Sequence, residues 1–192
     1  MKVIIYSVII SVLVGIVIFL SFENIPSSPL LGNVHHHADF KVYVYGEEIN
    51  FSSHEYMSTN ETKHSNFIHL HDLDGEVIHK HMTGISVGEL FESIDLKFNS
   101  TCLELENQEK YCNIENNTLK FFVNRKENSA YEKYEFNDLD QMLISFGNET
   151  DEGLQDQFNF ITDKACIQSG RCKERGMPSD ESDCASDDDC TV

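Results

Sequence analysis

The stretch IHLHDLDGEVIHKH, residues 68–81, sets two His-x-His pairs on either side of an Asp-Leu-Asp-Gly segment. Alternate residues of a strand project to one face, so His69 shares a face with His71, and His79 with His81. The turn decides whether those two faces coincide. With Leu73 facing Val77 across a three-residue loop, His71 lies opposite His79 and His69 opposite His81. Four imidazoles then form a square, with facing Cβ atoms about 4.5–5.5 Å apart. With a tight two-residue Asp-Gly turn, His71 falls opposite Ile78 and the two pairs point to opposite faces. Asp-Gly favours the tight turn, three-residue loops are also common, and both registers stand.

All nine histidines lie between residues 35 and 81. HHHADFKVYVYGEEINF, residues 35–51, alternates Phe40, Val42 and Val44 against Lys41, Tyr43 and Tyr45 before turning at Gly46. That pattern is a strand entering a hairpin. It places His35, His37 and Asp39 on the polar face, so three His-rich strands converge if this strand adjoins the second hairpin. His54 and His64 stand alone and read as ordinary hydrogen-bonded histidines. Met82 reads as a core residue and DLDG as a plain turn, since the other positions of a calcium loop are missing. In GISVGELFESIDLKF, residues 84–98, the period becomes helical at Val87, Leu90, Phe91 and Ile94, behind a Ser86/Glu89 capping box. Strand-like pieces follow, with a terminal strand around Met142 to Phe146. Two hairpins, one helix and further strands describe a small α+β domain of the β-grasp kind, with the helix across the sheet.

The ends differ from this middle. Residues 3–22 form an apolar run without charge, long enough to cross a hydrocarbon core of about 30 Å. No small-x-small cleavage site follows, so residues 1–22 are expected to be an uncleaved membrane anchor rather than a signal peptide. Lys2 precedes the run and no Lys or Arg follows until Lys41, which puts the bulk of the chain outside the membrane. Residues 23–34 read as a linker, 35–150 as the His-rich domain and 151–192 as an acidic, Cys-rich tail too polar to build a core. With 33 acidic against 14 basic residues and a net charge of -19, the chain is no nucleic-acid binder, because phosphate contacts need a basic footprint.

An extracytoplasmic location suits the six cysteines and the five sequons at Asn50, Asn60, Asn99, Asn116 and Asn148, the candidate glycosylation sites. Cys102 and Cys112 flank LELENQEKY as a bond across a hairpin would. Cys166 with Cys172 and Cys184 with Cys190 is the preferred pairing of the tail. Thioredoxin-like catalysis uses Cys-x-x-Cys, and no such spacing occurs. Nucleophile elbow, phosphate loop, dinucleotide fingerprint and zinc-protease motif are also missing, so nothing identifies an enzyme.

His35, His37, Asp39, His69, His71, His79 and His81 are therefore the candidate metal ligands, and copper or zinc the candidate ion, because imidazole suits both and affinities peak at copper(II). Acidic surroundings are expected to raise the imidazole pKa values, so that metal affinity falls as pH drops through the ordinary titration range. A cell-envelope interaction or assembly module with a structural His cluster is the alternative; a thiol-disulfide oxidoreductase is a weaker one. The pattern HHHADFKVYVYGEEINF, FIHLHDLDGEVIHKHMTGISVGELFESIDLKFNSTC, LKFFVN and DLDQMLISFG, over residues 35–147, resembles an uncharacterised family of membrane-anchored, extracytoplasmic, His-rich archaeal proteins. Some of its members carry a protein-disulfide isomerase label. The resemblance implies a common fold and a common ligand, and no mechanism.

Overall fold

Strand β1 (Asn33–Val44) is the spine of the sheet. In the computed structural model, which describes residues 31–59, 62, 64–106 and 109–176, β1 turns through Tyr45 and Gly46 into the short β2 (Glu47–Glu48). On its flanks β1 pairs antiparallel with β4 (Val77–Met82) and parallel with β10 (Gln141–Gly147). β3 (Ile68–His69) extends the sheet beyond β4, and β8 (Thr118–Val123) and β9 (Lys126–Glu127) extend it beyond β10. The order is β3-β4-β1-β10-β8-β9. β5 (Lys97–Phe98), β6 (Cys102–Glu104) and β7 (Lys110–Cys112) form a separate small sheet in which Cys102 sits directly opposite Cys112 and is disulfide-bonded to it. The architecture is mixed α+β and mostly strand. Among the described residues no helix is long and apolar enough to cross a membrane; the run 3–22 lies outside them, as do Asn60, Cys184, Cys190 and the tail from 177 onward.

The alternation in β1 sorts the two faces of the sheet. Ala38, Phe40, Val42 and Val44 are buried in the main core with Phe121, Ile144 and Phe146. Helix α1 (Val87–Ser93) closes that core with Val87, Leu90 and Phe91. It begins as expected at the capping box, where the Ser86 N–H donates to Glu89 Oε2 at 2.6 Å. Met82 also packs against this core.

The other face is divided. At one end Tyr43 and Leu143 are covered by Leu154 and Phe158 of α2 (Asp151–Asn159). The i, i+4 pair Leu154/Phe158 is the whole apolar stripe of α2, and so small a stripe leaves the composition of a polar tail. The turn into α3 (Lys164–Gln168) then crosses β1. Burial of Ala165, Cys166 and Cys172, and the Cys166–Cys172 disulfide, hold this segment against the sheet. Lys41, 7 % exposed, ties the pieces together: its ammonium donates to Glu48 and Glu76, and Lys164 reaches the same Glu76 at 2.5 Å. Two carboxylates and hydrogen bonds are what a buried ammonium requires.

The second hairpin takes neither expected register. His69 pairs with His79 and Ile68 with Lys80. The tight turn sits upstream of Asp-Gly: the Asp74 N–H donates to the His71 carbonyl at 3.0 Å, with Asp72 and Leu73 at φ 57° and 59°. Two central residues at positive φ make a primed turn. Gly75 serves another purpose. A Cβ there would stand 2.3 Å from the Phe51 carbonyl carbon and 2.4 Å from Ser52 N, so the missing side chain lets the loop lie on the backbone of residues 51–52. The Gly75 N–H donates to Ser52 Oγ at 3.2 Å.

Gly75→Ala is expected to destabilise the domain by about 1–3 kcal/mol through overpacking. Urea unfolding followed by circular dichroism measures it; an unchanged midpoint would show that the loop does not depend on this approach.

Candidate metal centre

The register carries four imidazoles to one face and sets them beside β1. His37 pairs with His79, and His79 with His69, so one row of imidazoles crosses three strands. His35 and His81 lie beside that row. Ring centroids are 4.5 Å apart for His37–His79, 4.6 Å for His35–His37, 4.8 Å for His35–His81, 5.0 Å for His69–His81 and 6.0 Å for His69–His79. These five rings close a circuit. His71 stands outside it, 3.8 Å from the His79 ring and 5.8 Å from His69. Three of the histidines, His35, His37 and His79, offer ligand nitrogens that all lie within 4.8 Å of one another. A three-histidine group of that size can hold a metal ion.

Hydrogen bonds determine which nitrogen four of the rings present. The carbonyl of Ser65 can only accept, so His69 Nδ1, at 3.2 Å from it, carries the proton and Nε2 keeps its lone pair. Ser169 Oγ donates its single proton to Asp138 Oδ1 at 2.6 Å and must therefore accept from His37 Nδ1, also at 2.6 Å. His37 Nε2 is left as the lone-pair nitrogen. His71 Nδ1 donates to Asp72 Oδ2 at 2.6 Å, so its Nε2 accepts from His79 Nδ1 at 3.2 Å. That assigns the lone pair of His79 to Nε2 too. A histidine whose Nδ1–H is held by an acceptor, leaving Nε2 for the ion, is the arrangement typical of metal-ligating imidazoles.

Electrostatics favour the neutral form of His37, His69 and His79. Burial, and then the imidazole of His35, lower the His37 pKa to about 4. Burial and His81 lower that of His69 to about 4. His79 is pushed down furthest, by burial and then by His71, His37 and His69. The expected upward shift from acidic surroundings is reversed at His37, His69 and His79, because desolvation and the neighbouring rings lower them, and at His37 burial outweighs the upward pull of Asp138.

Asp39 does not join the histidines. Its Oδ1 accepts from Thr162 Oγ1 at 2.7 Å and from the Ala165 N–H at 3.1 Å. Fully buried, with Oδ2 unpartnered, its carboxyl is raised to about 6 by desolvation. Its position on β1 was legible; the segment that claims it, 162–165, was not. His54 is exposed and His64 half-buried, both outside the circuit. Asp138 and Ser169, which orient His37, carry no local sequence signal, being 101 and 132 residues away from it. Arg171 holds the same Asp138 at 2.5 Å. No family model, curated protein or solved structure matches the chain.

Neutral imidazole is the ligand form, so His37 and His69, lowered to about 4, should each cost metal affinity through proton competition only below about pH 5, where an ordinary histidine ligand does so from about 6.5 downward. Competition titrations with a chromogenic chelator at pH 7 and pH 5 read this directly. Ser169→Ala removes the acceptor of His37 Nδ1 and is expected to weaken metal binding by about 10-fold or more, with the Cys166–Cys172 bond intact; an unaltered affinity would exclude Ser169 as a positioning residue.

Proposed function

We propose that this chain is a membrane-anchored, extracytoplasmic domain of β-grasp-like topology that binds a transition-metal ion, copper or zinc, through imidazole nitrogens. The observation that carries the reading is the His35, His37 and His79 group, with ligand nitrogens within 4.8 Å and two of its rings pinned at Nδ1 by other side chains. Sensing, delivery or storage of the ion are the roles such a site serves. The β-grasp reading rests on the order β4-β1-β10-β8, with its central parallel pair and the helix between the two antiparallel halves.

The apolar run 3–22, the disulfides and the sequons support the location. Asn50, Asn116 and Asn148 are exposed, as glycan acceptors must be. Asn99 is half-buried, and its Oδ1 already accepts from the Thr101 and Cys102 N–H groups. Membership of the His-rich archaeal family belongs to the same proposal. Thiol exchange at the Cys166–Cys172 bond is the poorer reading: the two cysteines are 1 % and 0 % exposed, and an attacking thiolate has no approach to them.

Full-length protein, purified in detergent and dialysed against zinc or copper(II), is expected to retain metal by plasma mass spectrometry. The His37→Ala, His79→Ala double variant should lose the ion bound by the three-histidine group while keeping its circular dichroism spectrum. A wild-type chain that retains neither metal would sink this reading and favour the interaction module.

A further inference from the structure

The segment that orients His37 is held down largely by its own disulfide. From Lys164 to Gly176 the buried residues are Ala165, Cys166 and Cys172, while Ile167 stands 41 % exposed. Helix α3 has five residues, and so short a helix does not persist in water without tertiary packing. The cystine is therefore the main apolar anchor of this segment on the sheet. It also closes the loop that carries Ser169 and Arg171.

Both of those residues act on the metal centre. Ser169 Oγ accepts from His37 Nδ1 and donates to Asp138 Oδ1, each at 2.6 Å. Arg171 Nη1 reaches Asp138 Oδ2 at 2.5 Å, and Asp138 Oδ1 also accepts from the His37 N–H at 2.9 Å. On the same strand, the Ala165 N–H donates to Asp39 Oδ1 at 3.1 Å. With the disulfide open, Ser169 lies on a segment whose buried apolar contact is reduced to Ala165 and two separate thiols. His37 then loses the acceptor that leaves its Nε2 lone pair for the ion.

We propose that the Cys166–Cys172 disulfide is a redox condition on metal binding: the oxidised chain presents His37 to the ion, and the dithiol chain binds the same ion more weakly. This inference rests on the metal-binding reading above and adds its regulation. Bond formation takes two electrons and two protons from the thiols; a disulfide-bearing oxidant receives them and becomes a dithiol. Because both cysteines are buried against the sheet, the bond is made or broken only when the segment lifts away. Coupling is reciprocal, so an ion on His35, His37 and His79 holds the segment down and protects the bond.

The test is the zinc affinity of the full-length chain in detergent, measured by competition with a chromogenic chelator. Cys166→Ser with Cys172→Ser is expected to bind zinc about 10-fold more weakly than wild type. Added to Ser169→Ala, the same pair should cost no more than about 2-fold further, because both changes break one interaction. In the wild-type chain a phosphine reduces the bond to two thiols and becomes the phosphine oxide, with water as the source of oxygen. Saturating zinc is expected to slow that reduction by about 10-fold, read by alkylation of Cys166 and peptide mass spectrometry, and this measurement needs no variant to fold. Unchanged affinity in the serine pair, or equal reduction rates with and without zinc, overturns the redox condition while the metal-binding reading stands. Additive losses in the triple variant also overturn it, since the bond would then act by a route other than Ser169. A wild-type chain that binds neither zinc nor copper overturns both.

Discussion

The antiparallel pairing of β1 with β4 is the constraint from which the rest follows. It sets His37 opposite His79 and Ala38 opposite Ile78, so one register assigns imidazole to one face and aliphatic side chains to the other. Slipping β4 by one residue against β1 would turn His79 toward the core and Ile78 toward the histidine face. The buried area of the main core therefore stabilises the very alignment that gathers the histidines. On the far side, the parallel pairing with β10 keeps Val42 level with Ile144 and Val44 level with Phe146, and these residues lie in the same core. The histidine face is held in place by hydrophobic contacts made on the opposite side of the sheet.

Neutrality is the second constraint. Six imidazoles this close would repel one another if protonated, and burial adds the cost of desolvating each charge. The fold meets that cost by donating Nδ1–H groups to fixed acceptors: the Ser65 carbonyl, the Asp72 carboxylate, and Ser169 backed by Asp138. The last of these brings the C-terminal segment into the site. Ser169 lies within the loop closed by the Cys166–Cys172 disulfide, which restricts the unfolded chain by roughly 2 kcal/mol for so short a loop. Arg171 from the same loop pairs with Asp138, and the carboxylate orients the Ser169 hydroxyl by accepting its proton in a hydrogen bond.

Much of this was legible in the residues. Alternation in β1 identified its core face, the Ser86/Glu89 box identified the start of α1, and the two-residue spacing of the histidines identified their shared faces, because each of these is a local periodicity. The α2 helix was hidden because Leu154 and Phe158 are a single apolar pair in a polar stretch. The hairpin register was missed because Asp74-Gly75 has the composition of a turn, whereas Gly75 is present for its close approach to Phe51 and the positive φ angles belong to Asp72 and Leu73. Asp39 was grouped with the histidines on spacing alone, and Thr162 and Ala165 bind it instead.

By itself, then, the sequence determined the ligand chemistry and the strand faces: which residues are imidazoles, and which of them must point together, since a strand has a period of two. Only the tertiary structure decided which histidines face one another, which nitrogen His37, His69, His71 and His79 present, and that burial lowers the proton affinity of His37, His69 and His79. Those depend on partners far away in the chain, Ser169 for His37 and Phe51 for Gly75, and no local pattern encodes a contact of that range.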